Sequence, residues 1–430
     1  MLRNLFLVSF VLANQVIFSS DLLKLVTELV DSSPRTRAAM ADVKSQKHGK
    51  DERESRFRSP NFNIDTNYGT QTTESFGQPA VREDAARGFN ARMTQLLMDF
   101  GQSANALKES ESVIEQSKQQ HLVARQGLIL EVLTAYLSVQ RAQEVLDSAI
   151  KAENNIKNQA SLEDALVDAG KGYRSDVLHA KAQLASAQAR RVRAEGSLDV
   201  AKARMEAVCG ELYPKVRYFQ KVNYSSKDLP KSLVEAKKTA LENNLQLRVG
   251  SARSQALGHR LDAARIEDKA PKVELVAQIE RNWDADGVLR RKRDDRFMVQ
   301  VSWDQNFGSA EPNRLGAIQQ DLEASRQREQ ETIQLVGEQV LIAWRNYATA
   351  NSNEEIIKNQ VELARQFLDA ARQERKSGRR SLLDVLSAET RVLDAEADLF
   401  ATSYDKKIAA FTLMQAVGIL DLKHIAVLTK

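Results

Sequence analysis

The sequence predicts a mainly α-helical protein with a small β part, built as two copies of one unit. Three observations predict it. Gly170 to Gly210 contains DVLHAKAQLASAQA and Gly378 to Gly418 contains DVLSAETRVLDAEA, and one offset of 208 superposes Gly170 on Gly378, Asp176 on Asp384, Ala180 on Ala388, Ala187 on Ala395 and Gly210 on Gly418. A two-ended match held in register over about forty residues marks an internal repeat. Each half also carries a stretch of close to 70 residues with apolar side chains at helical spacing, ending at Gly170 and at Gly378. Ahead of each such stretch lies a pair of short segments with period-two alternation, the pattern of a hairpin. Composition agrees: 42% of the 430 residues are hydrophobic but only 6% are aromatic, and there are 7 prolines. That balance belongs to long helices and not to a compact α/β enzyme. The formal net charge of +4 is small, and mixed signs along helices mark solvated faces, so nucleic acid is not an expected partner.

Taken in order, residues 1–19 read as a secretory signal peptide: Arg3, an apolar run from Leu5 to Leu12, then Ala13, Ser19 and Ser20. The run is too short to cross a bilayer as a helix, and no other stretch approaches the ~18 apolar residues that crossing needs. The single cysteine, Cys209, excludes an intrachain disulfide. The first repeat spans 20–214. Leu22, Leu25, Val26 and Leu29 share one helix face until Ser32-Ser33-Pro34 interrupts it. A polar helix follows from about Arg35 to Arg56, and Ser59-Pro60 stops it, because the residue before proline is pushed out of the helical region. Phe62, Ile64, Thr66 and Tyr68 alternate, and a second run lies at about Phe89 to Met93, giving a β-hairpin over about 60–98. Gln102 to Ala169 holds no proline and one glycine, which predicts a helix about 100 Å long. A tip turn at 170–176 leads into a second long helix from about Asp176 to Val208, and Leu212-Tyr213-Pro214 ends it.

Residues 215–229 read as a linker, and 230–430 as the second repeat. Helices cover about 231–268, with Asn243-Asn244 near the site of the earlier break. Val273, Leu275, Ala277 and Ile279 alternate with polar residues, Asp286-Gly287 supplies a turn dipeptide, and Phe297, Val299, Val301 and Trp303 alternate in turn, giving a hairpin over about 271–306. Arg290 to Arg293 form a basic cluster in that hairpin's loop. A long helix then reaches Gly378, a second tip turn occupies 378–384, and a last long helix returns.

Each hairpin has one apolar face, and a lone hairpin is not stable in water. Two hairpins provide four strands, too few to close a barrel around a water-filled lumen, so several copies of the chain would have to pool theirs. In a membrane such a barrel must close, because hydrocarbon cannot satisfy an open strand edge. The alternation then gains a purpose, with apolar residues toward lipid and polar residues toward the lumen.

Catalytic signatures are missing. There is no HExxH, no P-loop and no dinucleotide-binding fingerprint, and the five histidines (His48, His121, His179, His259, His424) are scattered. Cys209 has no CxxC partner. Enzyme activity, cofactors and metals are therefore not expected.

Five segments carry a resemblance to a known family: QGLILEVLTAYLSVQRAQEVL (126–146), DAGKGYRSDVLHAKAQLASAQ (168–188), CGELYP (209–214), SGRRSLLDVLSAETRVLDAEADL (377–399) and AAFTLMQAVGIL (409–420). With the duplicated glycine-DVL pattern and the hairpin placement, the chain resembles the TolC-like outer-membrane efflux and type I secretion channel proteins over nearly all its mature length. The resemblance implies a homotrimer with an α-helical barrel forming a periplasmic tunnel and a shared 12-stranded outer-membrane β-barrel. It implies a passive exit duct of a tripartite efflux or type I secretion system, which opens at its periplasmic tip. The partners it implies are a periplasmic adaptor (membrane fusion) protein, an inner-membrane ABC or proton-driven transporter, and outer-membrane lipid. Gly170, Gly172 and Gly378 would form the tip turns. Asp176 and Asp384 would start the returning helices, where a carboxylate caps free N–H groups, or would line an acidic gate. Asp176 and Arg380 match a pair that links coils in the closed entrance of the family. Arg375 stands where the family often has a tyrosine, and Ser387 where it has a second acid. The tip is also rich in cations: Lys171, Arg174, Arg375, Lys376, Arg379 and Arg380.

The other function class that fits the helices is a periplasmic coiled-coil adaptor that never enters the membrane. The hairpins discriminate, because a duct needs strands of about 9 to 11 residues while an adaptor would carry compact β domains.

Overall fold

The structure is a computed structural model, and it describes residues 21–73, 82–170, 172–210, 222–224, 226–283, 291–304 and 310–427. The signal segment, the Asp286-Gly287 turn, Lys171 and Leu212-Tyr213-Pro214 lie outside the described residues.

Helix α1 (Asp21–Ser32) buries Leu22, Leu25, Val26, Leu29 and Val30 on one face. Only Ser33 separates it from α2 (Pro34–Arg58). Pro34 opens α2 at a position whose N–H would have no helical partner, so proline costs nothing there. Strands β1 (Asn61–Thr73) and β2 (Arg82–Met98) follow; β2 is longer than its alternation suggested and carries a register shift between Leu96 and Met98. Helix α3 (Gln102–Asp168) has 67 residues, and α4 (Arg174–Cys209) returns from it with 36. The second half repeats the order: α5 (Leu233–Asn243), α6 (Leu245–Lys269), β4 (Lys272–Trp283), β5 (Arg291–Ser302), α7 (Ala310–Lys376, again 67 residues) and α8 (Leu382–Ala416). Asn244 alone separates α5 from α6, and its side chain donates to the Ala416 carbonyl at 2.9 Å.

Two readings change. The supposed linker holds a strand, β3 (Val222–Tyr224), which pairs antiparallel with β6 (Ile425–Val427) near the C-terminus. Strands of three residues are too short for alternation to show in a sequence. Tyr224 seats the pair edge-on against Tyr347 and Phe411, both centroids at 6.3 Å, and burial with the Tyr347 hydroxyl contact at 3.3 Å pushes its phenol pKa up. The second change concerns Arg291, Lys292 and Arg293, which open β5 instead of lying in the loop.

The chain packs as two compact units, and each draws segments from both repeats because the long helices run through both. The first unit comprises 1–37, 122–245 and 333–430. Its core includes Leu128, Ile129, Val132, Leu133, Tyr136 and Leu137 of α3 with Phe411, Leu413 and Met414 of α8. One 18-residue window of α3 is apolar enough by composition to cross a membrane, contrary to the sequence reading, but half of it is buried inside the fold. Toward the tips the seams narrow to small residues at seven-residue spacing. Ala180, Ala187 and Ala194 are buried along α4, and Val385, Ala388, Val392 and Ala395 along α8. Leu368 and Ala371 of α7 pack on the α8 set, and Ala160 of α3 meets Ala180 and Leu386. A seven-residue repeat keeps one narrow face toward the neighbouring helix.

The second unit comprises 38–121 and 246–332. Leu261 and Ala264 of α6 pack with Ile318 and Leu322 of α7. The ion pairs Lys50–Glu111 (2.7 Å) and Arg314–Glu267 (2.9 Å) join neighbouring helices. Its β part is one antiparallel four-stranded sheet in the order β1-β2-β4-β5. The register sorts side chains onto two faces. One face carries Phe62, Ile64, Met93, Val273, Leu275, Ala277, Ile279, Phe297, Val299 and Val301. The other carries Asn61, Asn63, Asp65, Asn90, Arg92, Gln278, Glu280, Asp294, Arg296 and Gln300. Polar groups on that second face bond one another: Arg92 to Gln300 at 3.2 Å, Gln278 to Asn90 at 3.1 Å, and Arg296 to Asp294.

Candidate functional site: the two helix-turn-helix tips

Gly170 and Gly378 end α3 and α7 in the same left-handed conformation, with φ of 71° and 72°. The Gly170 N–H donates to the Val167 carbonyl and the Gly378 N–H to the Arg375 carbonyl, each at 2.9 Å. At the second tip the Arg379 N–H also reaches the Glu374 carbonyl at 2.9 Å, completing a Schellman closure. Open space surrounds both glycines, so backbone conformation rather than room selects them. Gly172 is different: a Cβ there would sit 3.1 Å from the Val167 nitrogen, a tight contact that the helix end would have to yield to by a few tenths of an ångström.

The returning helices start earlier than expected, at Arg174 and Leu382, so Asp176 and Asp384 both occupy the third helical position. Neither is the N-cap. Ser381 caps α8 by accepting the Asp384 N–H at 3.2 Å, while its hydroxyl donates to the Asp384 carboxylate at 2.9 Å. Tyr173 occupies the cap position of α4 and makes no side-chain cap bond. Both carboxylates sit in the first turn, where the helix dipole favours negative charge. Asp176 has no side-chain partner among the described residues.

The tip arginines are engaged within the chain. Arg380 pairs with Glu374 at 2.6 Å and lies over the Phe367 ring at 5.2 Å, so the Asp176–Arg380 link is not made inside one chain. Arg375 donates to Glu163 at 3.1 Å, tying α7 to α3. Glu163 is buried; its side chain is only 4% exposed. Glu389 of α8 is buried too and accepts from Arg372 at 2.9 Å and from Gln159. Arg174, Lys376 and Arg379 remain exposed.

Sequence reasoning missed Glu163 and Glu389. A signal was there for the first: Glu163 follows Ile156 by seven residues, and Arg375 follows Val361 and Leu368 by the same step. Each therefore stands at a seam position that its own helix otherwise fills with an apolar side chain. Among the described residues no group of three or more His, Cys, Asp or Glu could hold a metal ion.

A family model described as outer membrane efflux protein matches residues 25–211 and again 237–419, once in each half. The chain belongs to the outer membrane efflux protein family. It is similar to the outer membrane efflux protein BepC of Brucella suis, at 23% identity over 362 residues, covering 82% of this chain and 77% of that protein. It is also similar to the outer membrane protein TolC of Escherichia coli, at 24% identity over 356 residues, covering 78% and 71%. A crystal structure of a membrane protein from Pseudomonas aeruginosa shares the fold with a TM-score of 0.78 at 19% identity, covering 93% of this chain and 94% of that one. The expected TolC-like fold, mainly α with a small β part, is thereby shown, and so is the outer-membrane location. Both relatives are outer membrane proteins, one of them an efflux protein.

Proposed function

We propose that this outer membrane efflux protein is a passive exit duct that works as a homotrimer. A periplasmic adaptor and an inner-membrane ABC or proton-driven transporter would deliver its efflux or type I secretion substrates. The two-faced sheet carries the reading. Its four strands have 12 to 17 residues, long enough to cross a bilayer. The outer strands β1 and β5 each have a free edge within the sheet of one chain. Hydrocarbon does not tolerate free edges, and four strands cannot surround a lumen. Three chains would contribute twelve strands and pair every edge. The apolar face would then meet lipid and the polar face would line the channel.

The tips are the proposed gate. Three chains bring six tip turns to one ring, with Asp176 and Asp384 near its rim and Arg375 and Arg380 beside them. In one chain Arg380 is held by Glu374. Opening would require the α3–α7 contact held by Glu163 and Arg375 to loosen.

The test is conductance. Extracted in detergent, the protein is expected to run as a trimer and to conduct ions in a planar bilayer with a low resting current. Arg375→Ala and Asp176→Ala are expected to raise that current. A soluble monomer without conductance overturns the duct, and unchanged current in both variants overturns the gate.

A further inference from the structure

The sheet register places Tyr68, Arg87, Trp283 and Arg291 in a single row. Tyr68 is opposite Arg87, Arg87 opposite Trp283, and Trp283 opposite Arg291, so one side chain from each of the four strands lies on the apolar face. Aromatic and cationic residues alternate along it. The Arg87 guanidinium lies 5.3 Å from the Tyr68 ring centroid, and the Arg291 guanidinium 5.8 Å from that of Trp283. Nearer the helices, Arg281 and Arg293 share the single Asp295 carboxylate, at 2.5 and 2.7 Å, which offsets one of their two charges. Arg87 and Arg291 have no carboxylate partner among the described residues. The row sits at the connection of the second hairpin and five residues short of the end of the first, in the part of the strands away from the helices. Along β5 it is ten residues from Val301, a height of about 25 Å once the tilt of a barrel strand is allowed for. On this face of β5, Arg293 and Asp295 come next, and Phe297, Val299 and Val301 fill the rest of the span.

We propose that this row binds the phosphate groups of an anionic glycolipid in the outer leaflet; the proposal rests on the sheet crossing the outer membrane as described above. Tyrosine and tryptophan at the edge of an apolar band sit at headgroup depth. Each ring has a guanidinium within about 6 Å of its centroid, at the level where phosphates lie. A guanidinium fork matches a phosphate with two parallel hydrogen bonds, and an arginine stacked on a ring loses less freedom on making them. At headgroup depth Arg87 and Arg291 are only partly hydrated, and the anions that this face would meet there are lipid phosphates.

The test uses native mass spectrometry of the full-length protein in detergent, with diphosphoryl lipid A and its dephosphorylated form as probes. The wild type is expected to bind the diphosphoryl form roughly tenfold or more tightly, a preference that shrinks as salt rises. Arg87→Gln with Arg291→Gln is expected to abolish the preference while bilayer conductance persists, and Arg296→Gln on the opposite face is expected to keep it. Equal binding of both lipids by the wild type, or a preference that survives the double variant, overturns the proposal. Failure of the duct reading would show separately, as a wild type that does not conduct.

Discussion

Arg375 reaches across from α7 to bond the buried Glu163 of α3, and both occupy seam positions that their helices otherwise fill with Ile156, Val361 and Leu368. A charged pair at such a position adds little net stability, because two ions must leave water to form it. What it supplies is register: it is satisfied only when the two helices meet at one height. That is the property that the proposed gate would need to close and reopen in the same alignment.

Breaking this pair from one side is expected to cost more than removing it. Arg375→Ala leaves the Glu163 carboxylate buried without its cation and is expected to destabilise by about 2–4 kcal/mol. The double change Glu163→Leu with Arg375→Leu is expected to return the thermal midpoint to the wild-type value or above it. Thermal unfolding of the three proteins decides; a single variant as stable as the wild type would mean that the carboxylate is not desolvated.

The two halves hold their hairpins with opposite polarity. Asp164 of α3 pairs with Lys181 of α4, and 208 residues later Arg372 of α7 pairs with Glu389 of α8. The first pair is about half exposed on both sides, while Glu389 is 3% exposed. Lys181→Ala should therefore cost less than about 1 kcal/mol, the range of surface pairs. Arg372→Ala should cost about 2–3 kcal/mol, because only Gln159 would remain to satisfy Glu389. Equal losses in a urea titration would contradict the burial difference.

The caps differ in the same way. Ser381→Ala removes the acceptor for the Asp384 N–H and is expected to cost about 1 kcal/mol. Tyr173→Ser at the equivalent place on α4 should gain a similar amount. Amide hydrogen exchange at Asp384 and Asp176 would show the first tip slowing and the second quickening; the reverse pattern would remove the capping account.

Cys209 gives a pH signature. Burial pushes its thiol from 9.0 up to about 11. Between those values the folded chain keeps a proton that the unfolded chain has lost, so stability falls as pH rises through that window and is unaffected below it. Cys209→Ala is expected to lose less stability than the wild type between pH 9 and 11. Parallel urea midpoints for the two proteins would count against it.

The long-range plan was legible because it rests on periodicity. The offset that joins Gly170 to Gly378 located the two tips, and alternation in 273–279 and 297–303 located the second hairpin. What stayed hidden depends on partners that no local pattern shows. Val222 and Val427 form strands only because the two segments meet and Tyr224 finds Phe411. Arg380 resembles a gate residue by position, yet its in-chain neighbour Glu374 is visible only once the turn is folded. Glu163 was legible in principle, because its spacing from Ile156 sets a carboxylate in an apolar seam.

The orientation of the sheet can be tested at two adjacent residues. Val299 lies on the apolar face and Gln300 on the polar face, where Arg92 bonds it. If the apolar face meets hydrocarbon, Val299→Arg places a guanidinium among acyl chains two residues from Val301 and is expected to cost about 1–2 kcal/mol. Gln300→Arg, one residue along the same strand, would point into water and is expected to change stability by less than about 1 kcal/mol while altering ion selectivity. Folding into lipid vesicles across a denaturant series measures the first, and reversal potential in a salt gradient measures the second. Equal tolerance of both substitutions would mean that neither face meets lipid, and the twelve-stranded barrel would fail with it.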